Sequence, residues 1–228
     1  MRPASLLAVA VSAVLGAALG VGSGLALDHH GNASFSDPLG VGIPMQDQSC
    51  TDGTLVVVAT GDSAPPLAAA GAQFPHVRYL DIRASCATAW VEQGPTPRYA
   101  AYLGPYASRQ EACGIRMTAE HRGDFVTRLH DGNAKPVRCV CYEPLGVMPE
   151  LRSGMDATVL DGIWVRAMQR VLTDLGFLAK GHLTSFYDRS TFSAVQRFQS
   201  EGGLTVNGAV GPATWAALVT QGCKLYAS

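Results

Sequence analysis

The chain has 228 residues, of which 47% are hydrophobic and 15% charged. That length suits one or two domains, and the apolar content excludes a disordered tail. Lys and Arg total 17 against 18 Asp and Glu, a net charge of −1, so no basic surplus is present to make nucleic acid the main partner.

Residues 6–27 (LLAVAVSAVLGAALGVGSGLAL) are 22 residues without a charge, behind Met1, Arg2 and Pro3. At a helical rise of about 1.5 Å per residue they can cross a hydrocarbon core of about 30 Å. Residues 1–27 are therefore expected to be a membrane anchor, or a signal peptide if cleavage follows Gly24-x-Ala26. Either reading exports the rest of the chain, to face the cell wall or be secreted. Ser12, Gly16, Gly20 and Gly24 recur every four residues. Such a small-residue face lets membrane helices approach closely and would allow a homodimer, although an Ala/Gly-rich segment produces the spacing by composition alone.

Residues 28–49 are polar, punctuated by Gly and Pro, and aperiodic, and are expected to be a linker. His29 and His30 there are read as solvated rather than metal-bound.

Residues 50–143 read as an α/β unit. A β-branched strand over 54–60 precedes a Gly-Asp-Ser turn and a helix over 65–72. A second strand is expected from 76 to 82 and a third over 98–103. Ser108 and Glu111 form a capping box opening a second helix that runs to about residue 120. The last strand is expected over 136–142 (PVRCVCY). The order βαββαβ packs two helices on one face of a four-stranded sheet. Residues 98–116 (RYAAYLGPYASRQEACGIR) resemble the second half of a SPOR domain, with its Gly-Pro-aromatic strand end and Ser-capped helix. The resemblance implies a ferredoxin-like fold that binds peptide-free glycan strands across an open sheet face. The first half departs from that family at VVVATGDS.

Residues 144–160 carry two prolines and two glycines and are read as a second linker. Residues 161–228 read as three helices. The first spans about 162–175, with Val165, Met168, Leu172 and Leu175 on its buried face. The second opens at a Ser190 cap, and the third at Gly211-Pro212, with proline at its first position. Ala167-Met-Gln-Arg-Val171 repeats as Ala194-Val-Gln-Arg-Phe198, 27 residues later.

This segment resembles the three-helix peptidoglycan-binding type 1 family. Val165 to Phe177 follow V-x-x-[LM]-Q-x-x-L-x-x-L-G-[FY]; Phe186 to Gln199 and Gly203 to Leu218 follow the two later blocks. The family's Asp-Gly before the aromatic is replaced by Leu183-Thr184-Ser185, which should reshape that loop. The resemblance implies peptidoglycan as the partner. Trp215 is expected in the core. Tyr187, Asp188, Arg189 and Asn207, polar or aromatic and near loops, are the candidate ligand-binding residues. Arg can hold a stem carboxylate through two parallel hydrogen bonds, while Asp188 next to a helix start also suits a purely electrostatic role there.

Six cysteines stand at 50, 86, 113, 139, 141 and 223. Export makes disulfides their default state, and no metal-ligand spacing is present. Five lie in the middle segment, so complete oxidation within one chain joins Cys223 to that segment. Cys50 and Cys86 flank the first strand and helix and are a candidate pair. Cys113 is expected to meet Cys139 or Cys141, leaving the other for Cys223. Placed two apart on a strand, Cys139 and Cys141 would share a face. A free Cys223 bridging to a second chain is the alternative.

No H-E-x-x-H and no G-x-S-x-G occurs. The expected fold is α+β: an N-terminal transmembrane helix, a βαββαβ SPOR-like domain, and an all-α three-helix domain. The expected function is non-catalytic peptidoglycan binding without a cofactor or metal. The alternative is a cell-wall hydrolase with a catalytic middle domain.

Overall fold

The computed structural model describes residues 36–86, 90–91, 94–131, 136–155 and 158–226. The expected anchor at 6–27 and His29 and His30 lie outside these residues. Among the described residues no helix is long and apolar enough to cross a membrane.

The α/β module begins with strand β1 (Thr54–Gly61), helix α1 (Ala64–Gln73) and strand β2 (Arg78–Asp81). Strand β3 (Tyr99–Tyr106), helix α2 (Arg109–Arg116) and strand β4 (Phe125–Arg128) complete it. The sheet order is β2-β3-β1-β4 with every pair antiparallel, the split βαβ arrangement that the element order implied. Ser108 caps α2 by accepting from the Glu111 N–H at 3.1 Å, but α2 ends at Arg116. A separate 3-10 turn follows over Ala119–His121.

Alternation along the strands sorts the core into two faces. Val56, Tyr79, Ala101 and Val126 face α1 and α2, against Leu67, Ala70, Ala112 and Cys113. Leu55, Val57, Leu80, Ala100, Tyr102 and Phe125 form the opposite face. This second face is not open. Cys86 and Trp90, from the β2–β3 connection, lie against it, and Trp90 is 2% exposed. The Trp90 indole N–H donates to the Cys86 carbonyl at 3.1 Å. Gln48 adds a hydrogen bond to the Tyr102 hydroxyl at 2.7 Å, and the Cys50–Cys86 disulfide pins both coverings. Among the described residues the sheet therefore shows no open face of the kind implied by the SPOR resemblance. Leu55, Leu80 and Tyr102 are fully buried there because the β2–β3 connection brings hydrophobic residues to cover them.

Three expectations are corrected. First, residues 36–49, inside the stretch read as a linker, are packed. The Asp37 carboxylate accepts from the Val41 and Gly42 N–H groups at 3.1 and 2.8 Å. Ile43 is buried against α1. The Tyr79 N–H donates to the Pro44 carbonyl, and the Gln46 N–H to the Tyr79 carbonyl. This parallel bridge of Met45 to Tyr79 closes the outer edge of β2. An unpaired edge needs a partner, and a single bridge leaves no alternating pattern in the sequence.

Second, β4 is Phe125–Arg128, and residues 136–142 are not the last strand. Val137 makes one antiparallel bridge to Val126, and Cys139–Tyr142 is a 3-10 turn. At about 120° per residue, that turn points Cys139 and Cys141 in different directions. Cys139 bonds to Cys113 within the α/β module, and Cys141 reaches Cys223. They do not share a face.

Third, residues 144–155, inside the stretch read as a second linker, are a structured connector. Leu151 is fully buried and exchanges backbone hydrogen bonds with Val210 at 3.1 and 2.9 Å.

Helices α3 (Val159–Asp174), α4 (Arg189–Glu201) and α5 (Pro212–Gly222) form the second module. Its core contains Val165, Met168, Leu172, Val195, Phe198 and Leu218, as their spacing implied. Val140 of the 3-10 turn belongs to the same core. Arg138 clamps Asp174 of α3 through two hydrogen bonds at 2.6 and 3.0 Å, and Arg170 donates to the Asp124 carbonyl at 3.2 Å. With the Cys141–Cys223 bond added, both modules fall within one compact unit.

Candidate functional site

The three-helix module is built on two buried glutamines. Gln169 of α3 and Gln199 of α4 are 0% and 1% exposed. The Gln169 amide N–H₂ donates to the Thr184 hydroxyl, the Phe186 carbonyl and the Thr191 hydroxyl, at 3.2, 2.9 and 3.0 Å. Its oxygen accepts from the Ser185 N–H at 3.1 Å. Gln199 does the same one helix later. Its N–H₂ donates to the Asn207 side-chain oxygen, the Ala209 carbonyl and the Thr214 hydroxyl, at 3.1, 2.7 and 3.2 Å. Its oxygen accepts from the N–H groups of Asn207 and Gly208 at 3.1 and 2.9 Å. Each glutamine thus ties its own helix to the following loop and to a threonine in the first turn of the next helix. The two N–H donors of each amide are shared among three acceptors within reach, so each amide is fully engaged as a donor.

The structural repeat therefore pairs Gln169 with Gln199, 30 positions apart, and not the 27-residue repeat of similar letters. Ser185 and Gly208 occupy the same place in the two loops, at φ of 63° and 68°. Gly208 has no alternative, since a Cβ there would meet the Phe192 ring at 2.1 Å. The replacement of Asp-Gly by Leu183-Thr184-Ser185 leaves the loop in the left-handed conformation that glycine favours.

Of the four candidate ligand residues, three are committed to the fold. Tyr187 is 0% exposed, and its hydroxyl donates to the Gly208 carbonyl at 2.7 Å. Burial pushes its pKa far up, so it stays a neutral donor. Asp188, and not Ser190, is the N-cap of α4, accepting from the Thr191 N–H at 2.7 Å. The Asn207 side chain closes its own loop by accepting from the Ala209 N–H at 2.9 Å and from Gln199. Trp215 is 1% exposed, and its indole N–H donates to the Pro149 carbonyl at 2.8 Å; it is core, as expected. Arg189 is exposed at the first position of α4.

Arg189 borders an open groove of about 450 Å³, between the loop after α3 and the outer face of α4. Ser190, Ser193 and Arg197 line the α4 side; Phe177 and His182 line the loop side. Arg189, Ser193 and Arg197 are spaced i, i+4, i+8, so they stand one above another on the helix. Arg197 donates to the Phe177 carbonyl, which fixes one wall to the other. The sequence reading missed His182, Ser193 and Arg197, although the i, i+4, i+8 spacing was there to be read.

The His121–Asp124 pair in the α/β module, at 2.6 Å, is closed off: its side chains are 7% and 9% exposed, and the imidazole stacks on Phe74 at 4.7 Å. Among the described residues no three His, Cys, Asp or Glu side chains gather as a metal site.

No curated protein and no solved structure matches the chain. Residues 164–218, which run from within α3 to within α5 and include both glutamine-closed loops and the groove beside Arg189, do match a family model, and its description is Putative peptidoglycan binding domain.

Proposed function

We propose that the chain is an exported, non-catalytic protein that holds the cell wall through its three-helix module and is kept at the membrane by residues 6–27. The observation that carries this reading is the peptidoglycan-binding match over 164–218. Three disulfides with no free cysteine among the described residues point to an extracytoplasmic location. The α/β module serves as a rigid mount. Its second sheet face is filled from within, and Arg138, Val140 and Cys141 fasten it to the helices.

The test is co-sedimentation of the purified full-length chain with isolated sacculi, run beside a zymogram on the same walls. Sedimentation without clearing is expected. A chain that stays in the supernatant refutes wall binding, and clearing of the zymogram replaces the non-catalytic reading with a hydrolase.

A further inference from the structure

We infer that the groove between α4 and the loop after α3 is the ligand-contact surface of the module, and that it takes a carboxylate of a peptide stem and not a sugar ring. This rests on the reading of the module as a peptidoglycan binder. The polar side chains His182, Arg189, Ser190, Ser193 and Arg197 line it, and no Asp or Glu is among its lining residues. Arg189 makes no ion pair with any described residue. A guanidinium free of a carboxylate partner, with two hydroxyls within one helical turn, supplies the donors that a carboxylate accepts. Arg197, anchored to the Phe177 carbonyl, adds a second positive charge in a fixed place.

Sugar recognition relies instead on an open aromatic face, and among the described lining residues the rings are Phe177, already packed against Phe198, and His182. Tyr187 and Trp215 are buried, and Trp164 packs edge-on against Trp215 with ring centres 6.0 Å apart. Phe177 is set edge-on to Phe198 at 5.3 Å. Phe186, 40% exposed, stands outside the groove lining.

The test titrates the isotope-labelled full-length chain with three probes: a synthetic stem tetrapeptide with free carboxylates, the same peptide with its carboxyls amidated, and a chitin tetrasaccharide. The free-acid peptide should shift the amide resonances of residues 182, 189, 190 and 193. Amidation should weaken binding by roughly tenfold or more, the worth of a charge-assisted pair. Arg189→Gln should cause a similar loss with an unchanged melting temperature, since the side chain is exposed. Equal binding of the amidated peptide, an unaffected Arg189→Gln, or tetrasaccharide binding centred on Phe186 each overturns the inference. Sedimentation with sacculi but no peptide binding overturns the groove assignment and leaves the proposed function standing. Peptide binding without sedimentation does the reverse.

Discussion

Replacing Gln199 by leucine tests whether the module is organised by its buried amides. The two side chains have nearly the same volume, so the substitution leaves the space around Phe198 and Thr214 filled. It deletes every hydrogen bond that Gln199 makes to the 207–209 loop. The Gly208 N–H, which is buried, then has no acceptor, and such a group costs about 1–3 kcal/mol. The Asn207 N–H and the Ala209 carbonyl are part-buried, and each adds roughly 1 kcal/mol, the usual net worth of one bond. The expected loss is therefore about 3–5 kcal/mol. Gln196→Leu is the control. It occupies the position that the 27-residue letter repeat aligns with Gln169, is half-buried, and should change stability by less than about 0.5 kcal/mol. Urea unfolding of the oxidised full-length chain, followed by tryptophan fluorescence, measures both. Trp164 and Trp215 sit in the affected core. Equal effects of the two substitutions would refute the 30-residue repeat and the role given to the amides.

Two further outcomes follow from the same geometry. Tyr187→Phe should cost about 1–2 kcal/mol in the same urea assay, by leaving the buried Gly208 carbonyl without its donor, while sacculus binding stays unchanged; a loss of binding with full stability would return Tyr187 to the ligand site. The Tyr79 pKa is pushed up to about 12 by burial, with further upward pushes from the neighbouring Asp37. A raised folded-state pKa stabilises fully below the ordinary tyrosine value near 10 and is lost as pH rises toward 12. The protection factors of the 37–46 amides, taken relative to their base-catalysed intrinsic exchange rates, should therefore fall across that window, and Tyr79→Phe should remove the part of the fall that comes from this side chain.

Local signals in the sequence determined much of this protein. The β-branched run at 54–60, the Ser108–Glu111 box and the Gly211-Pro212 start each place an element within a few residues, because caps and periodicity act over one or two turns. The apolar stripe of α3 names its core residues for the same reason. If all six cysteines are oxidised within one chain, parity alone joins Cys223 to the α/β module, whatever the shape, and the Cys141–Cys223 bond is that link. What required the tertiary structure was everything set by contacts distant in sequence. The packing of 36–49 depends on the unpaired edge of β2, and the closed second sheet face on where Trp90 lands. Cys139 and Cys141 diverge because a strand position was already taken by Phe125–Arg128, which left a 3-10 turn. Tyr187 looks like a surface residue in a loop, yet the two glutamine-closed turns fold it inward onto Gly208. The groove was spelled out as Arg189, Ser193 and Arg197 on one helix face. Only the docking of the loop after α3 against that face makes a groove of it, since Phe177 packs on Phe198 and Leu178 enters the core through contacts between residues distant in sequence.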